Sequence, residues 1–75
     1  MKTVITNKNS KEYIGTLDLS IVPYENSIFV FDMSDNGNVF RYTGLVENVI
    51  FVVSLSETYA QIELGKMNCI CLDST

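Results

Sequence analysis

Ile28-Phe29-Val30-Phe31-Asp32-Met33-Ser34-Asp35-Asn36-Gly37-Asn38-Val39-Phe40-Arg41-Tyr42 is the stretch that decides how this chain folds. Both central residues of a type I′ turn need positive φ, which asparagine and glycine tolerate, and the twist of that turn matches paired strands. Asn36-Gly37 therefore predicts a two-residue hairpin with a fixed register. Asp35 meets Asn38, Met33 meets Phe40, Asp32 meets Arg41, and Phe31 meets Tyr42. The chemistry agrees with that register. Phe29, Phe31, Met33, Phe40 and Tyr42 share one face, and Asp32 and Arg41 form a cross-strand ion pair on the other. A slip of one residue destroys both matches.

A period of two continues outward from the hairpin. Tyr13, Leu17, Leu19 and Ile21 alternate with Thr16, Asp18 and Ser20, as in a half-buried strand with one wet face. Pro23-Tyr24-Glu25-Asn26 reads as a proline-led turn. Gly65-Lys66 suggests a second hairpin through a type II′ turn, pairing Leu64 with Met67, Ile62 with Cys69, and Ala60 with Cys71. A helix over 56–64, capped by Ser56 and ended by Gly65, is the rival for that segment. The map is strands near 2–7, 12–22, 27–33, 38–44, 48–55, 58–64 and 67–72. This is an all-β domain: a small antiparallel meander of about six to seven short strands, closing into a barrel or compact sandwich.

At 75 residues the chain makes one domain, residues 1–75, with one small core. Apolar residues at 47% and charged residues at 19% give a globular composition rather than a disordered one. The net charge is −4, and histidine and tryptophan are absent. Those counts exclude imidazole catalysis, histidine-based zinc sites and a strongly basic nucleic-acid surface. Residues 1–11 carry +3, whereas 12–64 carry −7. Eight acids scattered over the second segment read as a solvated surface, with an acidic face toward a basic partner as the sharper version.

The opening residues Met1-Lys2-Thr3-Val4-Ile5-Thr6-Asn7 do not resemble a signal peptide. Val49-Ile50-Phe51-Val52-Val53, the longest apolar run, is far short of a membrane span. The expected location is the cytoplasm. Cys69 and Cys71 are expected to be reduced and buried, because alternate residues of one strand sit at the edge of disulfide geometry.

Asp32-Met33-Ser34-Asp35-Asn36-Gly37-Asn38-Val39 resembles the opening of an EF-hand calcium loop. The twelfth position, which should be a bidentate Glu, is Thr43, and both flanks read as strands instead of helices. The hairpin turn accounts for the same residues, so no metal and no cofactor is assigned. Serine nucleophiles lack a histidine base, and the four glycines stand isolated at 15, 37, 44 and 65, away from any phosphate-loop spacing. Phe40, Tyr42 and Tyr59 are candidates for base stacking, but the register turns Phe40 and Tyr42 to the core, and the acidic charge opposes phosphate binding.

Two strands are apolar on both faces. With the aromatic face of the first hairpin in the core, Ile28 and Val30 point outward, and the second hairpin adds Tyr59, Ile70 and Leu72. So short a chain has little material to cover that face, and exposed apolar patches mark binding sites. Ile28, Val30, Tyr59, Ile70 and Leu72 are the expected interface. The expected function is non-enzymatic protein–protein interaction, as a homodimer, an inhibitor- or regulator-type binder of another protein, or both. A barrel that binds a small ligand or single-stranded nucleic acid is the alternative, followed by a carboxylate-based enzyme.

Overall fold

A computed structural model describes residues 1–72. Among these residues five strands form: β1 (Lys2–Asn7), β2 (Tyr13–Asp18), β3 (Ile28–Asp35), β4 (Asn38–Val53) and β5 (Thr58–Cys71). They form a single sheet in the order β2-β1-β5-β4-β3. Neighbours are antiparallel except β1 and β5, which run parallel with Ile5 beside Ile62. That parallel pair joins the β1–β2 hairpin to the β3–β4–β5 meander. The sheet curls into a half-barrel. Gly15 of β2, at one edge, lies against the thioether of Met33 from β3 at the other; a Cβ there would meet the Met33 Cε at 2.5 Å.

The Asn36-Gly37 turn forms with φ of 51° and 83° at its two centres. Every pairing expected of it is present: Asp35 with Asn38, Met33 with Phe40, Asp32 with Arg41, and Phe31 with Tyr42. Phe31 is buried between Phe29 and Tyr42, each ring centroid 5.2 Å away and stacked. Ile5, Val46, Ile62 and Leu64 complete the buried core, with Leu17, Leu19, Val22 and Val49 packed against it from the concave side.

The expected seven strands merge into five because the breaks expected after residue 44 and at Gly65-Lys66 do not form. Gly44 sits in mid-β4, where a Cβ would lie 3.0 Å from the Leu64 Cβ. It marks close packing, not a turn. Gly65 also lies in mid-strand, and a Cβ there would collide with the Glu47 carboxylate. No hairpin forms at Gly65-Lys66. Lys66 takes the positive φ, 51°, and the register of β5 against β4 shifts by one residue between Thr43 and Leu45. A second shift falls between Val46 and Asn48. Such bulges add local twist without ending a strand, and they curl this long pair.

Residues 58–64 are a strand, as favoured over the rival helix: the chain turns through Ser54–Glu57, where the Ser54 N–H donates to the Glu57 carbonyl at 2.9 Å, and enters β5 at Thr58. Two further expectations are corrected. Ile62 and Cys69 do not face each other, since both belong to β5. The proline-led turn falls one residue later than read, with the Ser27 N–H donating to the Tyr24 carbonyl at 3.3 Å and positive φ at Asn26.

Candidate protein-binding face

Alternation along three strands builds the convex face at the β3–β4 hairpin. Successive side chains of a strand point to opposite sides, so a paired register places whole rows together. Ile28 stands beside Leu45, and Val30 beside Thr43 and Asn68. In the next row Asp32 stands beside Arg41 and Ile70. The last row holds Ser34, Val39 and Leu72, with the Leu72 N–H donating to the Val39 carbonyl at 2.8 Å. Ile28 is 65% exposed and Ile70 56%, and Val30, Val39 and Leu72 are exposed as well.

Four of the five expected interface residues, Ile28, Val30, Ile70 and Leu72, therefore share one surface. Tyr59 does not. It lies near the opposite end of β5, half-buried, with the Lys2 ammonium 5.5 Å above its ring. A polar stripe separates it from the others: the Asn48 amide donates to Glu63 at 2.7 Å, and Lys8 pairs with Glu47 at 3.2 Å. Val39 is the patch member that sequence reasoning missed, although the hairpin register already put it opposite Ser34 on the outer face.

The polar centre of the patch is the Asp32–Arg41 pair. Arg41 donates from Nε to Asp32 Oδ1 at 2.8 Å and from its terminal nitrogen to Oδ2 at 3.1 Å, a two-pronged contact. Those hydrogen bonds, and then the guanidinium charge, hold the Asp32 carboxyl below its ordinary pKa of 3.8.

On the concave side below the same hairpin, a cavity of about 410 Å³ is lined by Ile14, Met33, Phe40, Tyr42 and Cys69, with Ser34 and Asp35 at its polar end. Burial raises the Tyr42 phenol above its ordinary 10.0, and the neighbouring Cys69 adds to the shift. Cys69 and Cys71 are free thiols, as expected, but both are exposed, not buried. They face Tyr42 and Phe40 across β4, at the end of the sheet where its concave side is least covered. Phe40 and Tyr42 point into this hollow and do not form a stacking platform on the outer face.

Among the described residues, no three Cys, Asp or Glu side chains gather closely enough to hold a metal ion. No helix among them is long and apolar enough to cross a membrane. Compared with known protein families, curated proteins and solved structures, the chain matches none.

Proposed function

We propose that this protein is a non-enzymatic binding domain that docks its convex face onto another protein. The observation that carries this reading is the exposed apolar patch of Ile28, Val30, Val39, Ile70 and Leu72 around the Asp32–Arg41 pair. The patch is a ring of exposed apolar side chains around one ion pair, and contiguous exposed apolar surface marks a binding site. Curvature favours a different protein on this face, because two identical convex faces touch over a small fraction of their area, whereas a grooved partner covers it. The exposed thiols Cys69 and Cys71 suit a reducing compartment, the cytoplasm.

Capture of partners from a host extract, run in parallel with the wild-type chain and Val30→Glu, tests the proposal. Val30 lies opposite the core face, so the variant should keep the wild-type circular dichroism spectrum and melting temperature while losing the captured protein. A partner retained equally by both chains would place the binding site elsewhere.

The concave cavity favours a second reading, a small amphipathic ligand, because its volume is that of ligand pockets and its lining is divided between apolar side chains and the polar groups of Ser34, Asp35 and Tyr42. A thermal-shift screen of small molecules, abolished by filling the cavity with Cys69→Phe, would support it.

A further inference from the structure

β3 covers β4 only as far as Leu45, which faces Ile28. Beyond that point β4 continues to Val53 with β5 on one side and, among the described residues, no strand on the other. The turn at 24–27 covers the first part of the open side. There the Asn26 N–H donates to the Val46 carbonyl at 2.7 Å, and the Val46 N–H donates to Ser27 at 2.9 Å. Val49-Ile50-Phe51-Val52-Val53 follows as a sheet edge with no charge, no proline and no glycine. Natural sheets usually blunt such edges with lysine, proline or a covering segment. The nearest equivalent is Glu25, whose carboxylate accepts a long 3.4 Å bond from the Val49 N–H.

The direction of the unused backbone groups follows from the ladder. Ser54 bonds to Glu57 across the β4–β5 turn. In an antiparallel pair, residues alternate between bonding the partner and pointing away. Ile50 and Val52 therefore bond toward β5, while Val49, Phe51 and Val53 direct their N–H and C=O groups to the open edge. The Val49 bond to Glu25 agrees with that assignment.

We propose that this edge pairs antiparallel with the same edge of a second copy, about a two-fold axis at Phe51. The three outward-pointing residues are symmetric about Phe51, so a second copy meets each donor with an acceptor: Phe51 faces Phe51, and Val49 faces Val53. Every opposed side chain is apolar, and no like-charge pair arises although each chain carries −4. The concave surface also fits. A cavity of about 480 Å³ lies beside the edge, lined by Val22, Pro23, Tyr24, Glu25, Val49 and Phe51. This register brings the second copy's Val53 against Val49 at the cavity mouth and displaces the Glu25 carboxylate. Phe51 and Tyr24 are 60% and 81% exposed. At ~150–250 Å² for a whole aromatic side chain, they offer roughly 200–350 Å² per copy. Ile50, Val53 and the bare backbone bring the contact toward the ~600 Å² per partner of the smallest stable interfaces.

This surface is separate from the convex face, and the experiment keeps the two apart. Sedimentation of the wild-type chain should show a dimer, and Val30→Glu should leave that dimer intact. Phe51→Lys and Phe51→Glu, each placing like charges opposite each other, should each weaken it at least about tenfold. An equimolar mixture of the two should re-form a heterodimer, visible by native mass spectrometry, because Lys then faces Glu. Val53→Pro removes an N–H that only the second copy uses, so it should yield a folded monomer by circular dichroism. A wild-type chain that stays monomeric at the highest concentration sedimentation can follow overturns the proposal. So does a Lys–Glu mixture no more associated than either variant alone.

Discussion

Asp32 and Arg41 face each other in the open, and their geometry has a consequence that pH can read. The bond from Arg41 lowers the folded-state pKa of Asp32 below its ordinary 3.8. A carboxyl with a depressed folded pKa contributes stability that is present above its unfolded pKa and lost as pH falls through the folded one. Asp32→Asn should therefore melt below the wild type at neutral pH. The gap should begin to close near pH 3.8 and vanish at still lower pH. Melting curves of both chains between neutral and strongly acidic pH check this, and a gap that survives in strong acid would mean that the substitution perturbs something other than the ion pair.

At the scale of the element, the long strands β4 and β5 depend on residues that look like strand breakers. Gly44 lies under Leu64, whose Cβ and Cδ1 are 3.0 Å and 3.2 Å from the position of an added Cβ, so a side chain there needs Leu64 to give way. Gly44→Ala should destabilise the fold by about 1–3 kcal/mol through overpacking. Chemical denaturation should show a lower midpoint with an unchanged slope. A neutral result would mean that Leu64 has room to shift, and that Gly44 is not the reason for the close approach of β4 and β5. The bulges near Glu47 and Lys66 act on the same strands in a complementary way. They bend a β4–β5 pair too long to stay flat over so small a core.

The curl of the whole molecule sets which residues are covered. The core fills the concave side around Ile5, Val46, Ile62 and Leu64, and the segment after β2 supplies Leu19 and Val22 to it. That cover ends before the last residues of β5. Cys69 and Cys71 are consequently exposed although they lie on the core face of the strand. Both thiols should react with a labelling reagent in the native protein at rates close to those in denaturant. Slow native labelling that speeds up on unfolding would show that they are shielded.

Local chemistry alone determined the all-β class, the Asn36-Gly37 hairpin and its register. It also determined the outward placement of Ile28 and Val30. These follow from φ preferences and a period of two, which act between residues close in sequence. The sequence could not tell a glycine that turns the chain from one that lets another strand approach. That distinction at Gly44 and Gly65 depends on Leu64 and Glu47, whose positions are set only when β4 and β5 pair. Tertiary structure likewise decided that Tyr59 stands apart from the patch, because joining two expected strands into β5 moves it to the far end. The parallel β1–β5 pairing, the uncovered thiols and the bare Val49–Val53 edge belong to the same class. Each depends on how far a neighbouring strand or covering segment reaches, and that extent is a property of the folded sheet.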